Sequence, residues 1–411
     1  MGIEKSELDP QSSLLAPRSS ILNPAFMYYL KLIVRNALRH KLRTGLTVLG
    51  IVVAILAFGL LRTVVDAWYA GSEAASKTRL VTRNSISLVF SLPLTYSAKI
   101  RQIEGVNAVS HANWFGGVYI TEKNFFPQFA VQASTYFDLY PEFVVPPEQM
   151  RAFLRDRKGA IVGRKTADIY GFKVGDQVNL RGTIFPGTWE FVVRGIYEGA
   201  EARTDTSQFF FQWDYLNETM KKTALRRANL VGVYIISIAS ADRAAEVATA
   251  VDRTFKNSLA ETLTETEQAF QLGFVSMVEA IVVAIRIVSF LVIFIIMAVM
   301  ANTMAMTVRE RMAEYATLKA LGFGPWHLTL LIFGESLTIA GCGAAIGIAL
   351  TFPVAEGFGK AMGKFLPVFN VHAETLYMQV AAGLIVGAVA ALVPCVRAAH
   401  IRIVDGLRNI G

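Results

Sequence analysis

Ile287-Val-Ser-Phe-Leu-Val-Ile-Phe-Ile-Ile-Met-Ala-Val-Met-Ala301 is the stretch that decides the fold, because it predicts a helix that crosses a membrane. No ionisable side chain occurs from Ile287 to Val308, and about 20 apolar residues are enough to span a bilayer as a helix. A charged segment follows without a turn signal, Arg309-Glu-Arg-Met-Ala-Glu-Tyr-Ala-Thr-Leu-Lys-Ala-Leu-Gly-Phe323. The pattern predicts a membrane helix that continues directly into a short amphipathic helix in water.

The short amphipathic helix is predicted to have one apolar side and one charged side. Its apolar residues recur at helical spacing: Met312, Tyr315, Leu318 and Leu321. Its charged residues occupy much of the remaining surface: Arg309, Glu310, Arg311, Glu314 and Lys319. Gly322 is a helix stop signal, and Pro325 prevents immediate continuation. A membrane helix joined to such a segment can carry force or position across the bilayer.

The composition is that of a membrane protein. Of the 411 residues, 53% are hydrophobic, and they are concentrated in a few long runs. The net charge of +8 comes from basic residues beside those runs, which favours a topology signal over a nucleic-acid surface. The two cysteines, Cys342 and Cys395, lie in or beside apolar runs and imply no disulfide. We therefore expect a lipid bilayer, and no nucleic acid, as a partner.

The N-terminal region is predicted to lie on the cytoplasmic membrane surface. Residues 1–24 are polar and predict a mobile cytoplasmic tail. Residues 25–43 predict an amphipathic helix whose cations step by four: Lys31, Arg35, Arg39 and Arg43. A surface helix of a soluble domain is the alternative, but the apolar run that follows at once favours a membrane-surface helix.

Four membrane spans are predicted, and the basic residues set their orientation. They are residues 44–66, a stalk and span at 276–308, residues 328–354 and residues 375–396. The segment 309–323 lies between spans two and three, an outer loop occupies 355–374, and the tail 397–411 is basic. By the positive-inside rule both termini are cytoplasmic, and residues 67–275 lie outside.

Residues 67–275 contain no run long enough to span a membrane and predict a mixed α/β domain. Gly159 to Val162 predicts a strand, Lys165 to Tyr170 a helix ended by Gly171, and Val231 to Ile238 a further strand. Two α/β units separated by a strand-rich insert predict a two-lobed domain with two sub-domains rather than one sheet. The predicted fold class is thus four transmembrane helices with a two-lobed α/β domain on stalk helices.

Polar and small residues interrupt the last two spans. Glu335 is either an intramembrane proton or ion site or a structural group paired with a cytoplasmic-side cation or helix end. Its position close to the inner interface favours the structural role. Small residues form predicted faces for close helix packing: Gly341, Gly343, Gly347, Gly383 and Gly387.

No motif predicts catalysis, a metal or a bound cofactor. The segment Gly159-Ala-Ile-Val-Gly-Arg-Lys-Thr166 departs from a phosphate-binding loop, because Arg164 stands where the second glycine is needed. The five histidines are scattered without ligand spacing. We expect a non-catalytic chain whose energy comes from another subunit.

These residues together resemble the permeases of the MacB–FtsX type, the four-span subunits of type VII mechanotransmission ABC transporters. The resemblance is strongest over residues 302–323, followed by Glu335 with Gly343 and Gly347, and by residues 394–408. The tail departs at Ile403, where the family usually has proline. Residues 159–195 are similar to the family's MacB-like extracytoplasmic domain.

The resemblance implies a set of partners. No ATPase domain is fused here, so it implies two copies of a separate ABC ATPase subunit, which bind ATP and Mg, and a second permease, identical or paralogous. A periplasmic adaptor and an outer-membrane channel are further partners it allows. The helix after span two would be the coupling helix at the ATPase, with the following contact residues: Arg309, Glu310, Arg311, Met312, Glu314, Tyr315, Leu318, Lys319 and Gly322. A solvated connector is the alternative for this helix.

The function implied is mechanical work across the inner (plasma) membrane. ATP-driven motion would be passed to a periplasmic domain that exports or extracts a hydrophobic, lipid-linked or peptide cargo. One alternative is an FtsX-like transducer that activates a periplasmic cell-wall hydrolase without transport. Another is an ion-coupled carrier that uses Glu335 and needs no ATPase.

Overall fold

The computed structural model describes residues 24–201, 203–362, 368–401 and 403, with side chains from residue 31 onward. The chain divides into two compact units. The helical unit consists of the chain up to Phe58, Phe290–Leu350 and the chain from Leu376; the sheet unit consists of Gly59–Ser289 and Thr351–Thr375. The predicted tail up to residue 23 and nearly all of the predicted tail beyond residue 401 lie outside the described residues.

The helices contain the predicted membrane spans. In chain order they are α1 Pro24–Ala37, α2 Lys41–Ala74, α3 Tyr96–Ile100, α4 Tyr136–Leu139, α5 Pro147–Arg155, α6 Arg164–Tyr170, α7 Trp213–Thr223, α8 Ala244–Thr254, α9 Glu267–Met277, α10 Glu279–Glu310, α11 Met312–Ala320, α12 Pro325–Met362 and α13 Ala373–Ala399. Four of them, α2, α10, α12 and α13, are long and apolar enough to cross a membrane. The predicted four transmembrane helices are thereby confirmed.

The strands all lie between α2 and α9. They are β1 Arg79–Asn84, β2 Leu92–Pro93, β3 Val106–Trp114, β4 Gly117–Tyr119, β5 Gln128–Val131, β6 Phe143–Val144, β7 Gly159–Gly163, β8 Gln177–Gly182, β9 Gly187–Gly199, β10 Phe209–Gln212, β11 Leu230–Val231, β12 Val233–Ile238 and β13 Thr262–Thr266. Together with the short helices between them they form a mixed α/β domain, as predicted. Gly171, which ends α6, has a φ of 73°, a conformation that glycine adopts without strain.

Eleven of the thirteen described strands join into one sheet, which corrects the expectation of two sub-domains rather than one sheet, and β2 and β11 form a separate pair. The order in the large sheet is β13-β1-β12-β3-β5-β10-β7-β9-β8-β4, and β6 joins it by pairing with β9. We call β13, β1, β12 and β3 the stalk half, because α2 and α9 lead into it. The strands β4 to β10 with the helices between them, residues 117–212, form the inserted half. The two halves are joined where β3 pairs with β5 over three residue pairs, from Ala112↔Val131 to Trp114↔Phe129.

The core of the sheet unit lies on both faces of the sheet. Strand β10 shows this directly, because its three consecutive phenylalanines are all fully buried. Phe209 and Phe211 belong to the larger apolar cluster on one face, and Phe210 belongs to the cluster on the other. Successive side chains of a strand point to opposite faces, so an uninterrupted apolar run is what a strand covered on both sides requires.

His111 on β3 is a buried imidazole in this core, 5% exposed. Its ring packs edge-on against Trp213, with ring centroids 4.7 Å apart. Among the described residues neither ring nitrogen has a hydrogen-bond partner at bonding geometry, and the same holds for Oε1 of Gln132, whose backbone N–H donates to the His111 carbonyl. Burial, with a smaller contribution from Arg101, lowers the pKa of His111 to about 4.

Acidification is therefore expected to destabilise the sheet unit through His111. Its pKa of about 4 in the folded state lies below the ordinary value of 6.5, so the unfolded chain binds the proton more tightly. Stability is fully present above pH 6.5 and falls as the pH drops towards 4, by about 3 kcal/mol in total. Chemical unfolding of the full chain, followed by tryptophan fluorescence at several pH values, measures this loss. His111→Leu should flatten the pH dependence in that window; an unchanged dependence would contradict the assignment.

Candidate functional site

The short helix α11 lies in the helical unit directly after α10. Arg311 separates the two helices and leaves helical geometry, with φ −101° and ψ 15°. The other end is terminated at Gly322, whose φ is 94°, and α12 begins at Pro325, the first helical position, where proline is well tolerated. The predicted amphipathic helix is therefore present as a separate element between two apolar helices.

The inner side of α11 is packed into the core of the helical unit. Tyr315 and Ala316 are buried, at 1% and 0% exposure, and Tyr315 belongs to an apolar cluster that includes Val308, Leu328 and Cys395. Burial raises the pKa of the Tyr315 hydroxyl well above its ordinary value, so the side chain stays neutral. One side of α11 is therefore part of the core of its own unit.

A buried ion pair joins the start of α11 to α12. Arg311 Nη1 donates to Glu335 Oε2 at 3.0 Å, and the two residues are 8% and 4% exposed. The Arg311 guanidinium also lies over the Tyr315 ring, 5.2 Å from its centroid. Breaking a buried pair by removing one partner leaves an uncompensated charge and is strongly destabilising. Glu335 thus has a cation as its partner, the arrangement that its position near the inner interface favoured.

Two further carboxylates, one at the end of α10 and one in α11, accept hydrogen bonds from arginines near the start of α2. Arg43 donates to both oxygens of Glu310, each at 2.7 Å. Arg39 donates to Glu314, which also accepts from Arg311 Nε at 2.9 Å. Burial raises the pKa of Glu314, but the hydrogen bonds from both arginines outweigh it and hold that pKa below its usual value. The pairs tie α11 and the end of α10 to the α1–α2 connection.

The end of α11 is anchored to the last helix. Lys319 Nζ donates to the carbonyl oxygens of Ala399 at 2.7 Å and Ile401 at 2.9 Å. These carbonyls lie at the C-terminus of α13, where helical acceptors lack intrahelical donors and a cation is favourable. The helix α11 is therefore fixed at its beginning, middle and end by polar contacts within its own unit.

A small polar cavity lies beside the buried pair. Its volume is about 10 Å³, roughly the space of one water molecule. It is lined by polar groups from α2, α10 and α12, among them Thr47, Thr307 and Glu335, and by His40. A single water here could hydrate Glu335 without opening a wider passage.

The outward surface of α11 and of the turn after it is partly apolar. Leu321 is 73% exposed and Met312 is 36% exposed, while Leu318 is half-buried and Arg309 is exposed. Leu318 packs against the apolar cluster of its own unit. We call the exposed residues Arg309, Met312 and Leu321 the outer surface of α11.

The structure rearranges the predicted contact set. Tyr315, predicted as an anchor on a partner, is buried in the chain's own core, whereas Met312 and Leu321 are exposed. Glu310, Arg311, Glu314 and Lys319 are engaged by groups of the same chain. Sequence reasoning missed their partners Arg39 and Arg43. Both arginines belong to the row of cations spaced by four residues, and this row was predicted to lie on the same side of the membrane as Glu310 and Glu314. That shared location was the available signal.

Close helix packing is concentrated at four of the five predicted glycines. A Cβ built on Gly343 would lie 2.7 Å from Ile51 Cβ, and one on Gly347 would lie 3.0 Å from Ile55 Cβ. Real Cβ atoms essentially never approach closer than 3.0 Å. These two glycines therefore let α12 approach α2 more closely than any larger residue would.

The same holds between α12 and α13. A Cβ on Gly383 would lie 2.6 Å from Ala344 Cβ, and one on Gly387 would lie 2.9 Å from Ala340 Cβ. Gly341 differs, since a Cβ there would meet no atom of the described residues within 4 Å. It lies two residues before Gly343 in the helix and so on a different side from the glycines that contact α2 and α13.

Two protein families match separate parts of the chain. Residues 44–254, more than half of the chain, match the MacB-like periplasmic core domain, and residues 286–403 match the FtsX-like permease C-terminal family. The second match contains α11, Glu335 and the packing glycines. No curated protein matches the chain.

Two solved structures are similar to part of the chain. One is the extracellular domain of the noncanonic ABC-type transporter YknZ from Gram-positive bacteria, with 14% identity, a TM-score of 0.34, and coverage of 46% of this chain and 100% of the other. The second is a domain of a putative permease protein from Porphyromonas gingivalis, with 12% identity, a TM-score of 0.32, and coverage of 46% and 88%.

The two family matches cover the domain between the first two apolar helices and the helices that follow it. With four apolar helices, they indicate an inner-membrane protein that carries an extracellular domain. The chain belongs to the MacB/FtsX-type permeases of ABC transporters.

Proposed function

We propose that this permease transmits the ATP-driven motion of a separate ABC ATPase to its extracytoplasmic domain, and thereby exports or extracts a hydrophobic, lipid-linked or peptide cargo. ATP and Mg would be bound by two ATPase subunits, and the permease would pair with a second copy or a paralogue. Both termini and α11 would lie on the cytoplasmic side. The observation that carries the proposal is α11, a short helix anchored inward at three points with an apolar surface left outward.

The anchoring of α11 supports a mechanical role. A surface that passes on a displacement must not yield when it is pushed. The buried Arg311–Glu335 pair and the Lys319 contacts connect the two ends of α11 to α12 and α13, and the bidentate Arg43–Glu310 pair connects the end of α10 to α2. A displacement of α11 would therefore move these helices with it.

The packing glycines also support a mechanical role for the membrane helices. Where Gly343, Gly347, Gly383 and Gly387 allow close approach, side-chain volume is replaced by direct helix contact. Closely packed helices transmit displacement well and leave little space for an aqueous path. This favours work performed outside the membrane over conduction through the helical unit.

Leu321→Asp is expected to abolish stable association with the partner ABC ATPase. Leu321 is 73% exposed, so a carboxylate there should leave the permease folded but place a negative charge in the proposed contact. Co-purification of the two subunits and permease-dependent ATP hydrolysis measure the loss. Leu321→Met keeps the apolar surface and should retain both.

The same variant tests the cargo. Cells that carry Leu321→Asp should retain a hydrophobic or peptide compound to the same extent as cells lacking the permease. A cell-separation defect without retention of a compound would indicate that the permease activates a cell-wall hydrolase and does not export cargo. An intact complex with full ATP hydrolysis in Leu321→Asp would show that the outer surface of α11 is not the ATPase contact.

A further inference from the structure

The two stalk helices enter the sheet domain at neighbouring strands. Residues 59–74 of α2 lead into β1, which begins at Arg79, and β13 leads into α9, which begins at Glu267. Strands β1 and β13 pair antiparallel, with Leu80 opposite Thr266. The two entry points therefore lie side by side, at the same end of the stalk half.

Arg79 joins these two entry points. Its Nε donates to Glu267 Oε2 at 2.8 Å, and the same oxygen accepts the backbone N–H of Ser76 at 2.9 Å. Arg79 and Glu267 are 6% and 5% exposed. Glu267 is also the first residue of α9, where the helix dipole favours a carboxylate.

The other side of the Arg79 guanidinium binds the inserted half. Its Nη1 donates to the Leu139 carbonyl at 2.7 Å and to Glu142 Oε2 at 3.1 Å. Its Nη2 donates to the second oxygen of Glu142, and the guanidinium lies 4.1 Å from the centroid of the Tyr140 ring. One buried cation thus contacts the root of each stalk and the segment between α4 and β6.

This arrangement requires arginine. The guanidinium presents donors in a planar fork, so Nε can bind one carboxylate while the two Nη atoms bind another. A lysine ammonium is a point charge and cannot reach Glu267 and Glu142 in this geometry. Burial of a cation among tyrosines is costly unless its donors are paired, and all three nitrogens of Arg79 have acceptors.

Arg79 lies away from the ladder that joins the two halves. Across the sheet it is opposite Ser237, and Ser237 is opposite Ala108 on β3. The ladder between β3 and β5 begins only at Ala112, about 13 Å further along the strand. Between these levels Thr135 Oγ1 donates to Ser110 Oγ at 3.0 Å, and residues of both halves share apolar clusters. The halves therefore meet along β3, and Arg79 adds a separate polar contact at the root of both stalks.

We propose that Arg79 is the positioning residue that makes the inserted half follow the stalks. The inference rests on the proposed mechanical function. It identifies the contact through which a displacement of the stalk helices is passed to the inserted half. With Arg79 in place, a displacement of α2 or α9 is applied to both halves at once. Without it, the three-pair ladder and the apolar packing remain, and the inserted half can rotate about them.

Distances between spin labels in the full chain test this, in a background where Cys342 and Cys395 are replaced by alanine. One label at Gln268 on α9 and one at Asp168 on α6 report on the two halves relative to each other. Arg79→Gln is expected to widen this distance distribution about two-fold, as expected for a segment that has gained local freedom. Glu142→Gln, which keeps the Arg79–Glu267 pair, should widen it to a smaller extent.

Two label pairs within single halves serve as controls. Glu148 with Arg181 lies within the inserted half, and Lys256 with Gln268 lies within the stalk half. Both distributions should stay as narrow as in the unsubstituted chain. Equal widening of all three distance distributions would show that Arg79 stabilises the domain in general and does not position the inserted half. An unchanged distribution between Gln268 and Asp168 in both variants would overturn the proposal.

The ATPase readout separates this inference from the proposed function. Arg79→Gln should still bind the ATPase, because α11 is untouched, while cargo movement falls. If the unsubstituted permease binds no ATPase, the proposed function fails, yet the distance measurements still decide the role of Arg79. If binding and cargo movement both persist in Arg79→Gln, the inference fails and the proposed function stands.

Discussion

Replacing Arg311 with glutamine is expected to destabilise the helical unit and prevent assembly with an ATPase. The substitution leaves the Glu335 carboxylate, 4% exposed, without its cation. Removing one partner of a buried ion pair costs about 3–5 kcal/mol, and here it also releases the start of α11. Thermal unfolding of the full chain in detergent and co-purification with the ATPase measure the two effects.

Arg309→Gln is the matched control for this prediction. It removes the same side-chain chemistry two residues earlier, at an exposed position, and should leave stability unchanged. The double variant Arg311→Gln with Glu335→Gln should recover part of the lost stability, because no unpaired charge remains. A single Arg311→Gln variant as stable as Arg309→Gln would show that the buried pair does not hold α11 in place.

Gly343→Val is expected to have the other large effect. The first added carbon would lie 2.7 Å from Ile51 Cβ and Cγ2, and 3.3 Å from the Val48 carbonyl oxygen. Because two of these contacts involve atoms at or next to the backbone of α2, the helices must separate. Overpacking a close contact typically costs about 1–3 kcal/mol, and the branched side chain places the effect at the upper end.

Gly341→Val, in the same helix, provides the comparison. A Cβ at position 341 meets nothing within 4 Å, so the variant should unfold at the same temperature as the unsubstituted chain. Both variants add the same volume and the same helix propensity, so the difference between them isolates the contact with α2. Equal melting of the two variants would contradict the assigned packing face.

The elements that were predicted are those encoded by local pattern. An uncharged run such as Ile287 to Val308 is long enough to specify a membrane helix without knowledge of its neighbours. Gly171 and Gly322 mark helix ends because their positive φ suits glycine. The mixed α/β character followed from alternation and turn residues in the same way.

The arrangement of the strands was not predictable from such patterns. The halves join through β3 and β5, and within the inserted half β7 pairs with β9 and β10 with β5 in parallel. Parallel pairs are distant in sequence and leave no turn signal between them. The alternation that predicts a strand says nothing about which strand will lie beside it, so one sheet could not be distinguished from two.

The candidate site shows the same limit. The charges of α11 could be placed by helical spacing, but their partners could not, because Arg39 and Arg43 precede Glu314 and Glu310 by 275 and 267 residues. Helical spacing predicted an apolar stripe on α11, yet amphipathicity alone does not tell which residues of such a stripe face the chain's own core and which face outward. Tyr315 faces the core.

The sheet terminates on the inserted side in β4, a strand of three residues, Gly117–Tyr119. Unpaired backbone groups along a terminal strand can recruit strands from other molecules, and short terminal strands limit this hazard. A strand of three residues offers few free backbone donors and acceptors for such pairing. The domain is therefore expected to have little tendency to polymerise through this strand, even at a high local concentration.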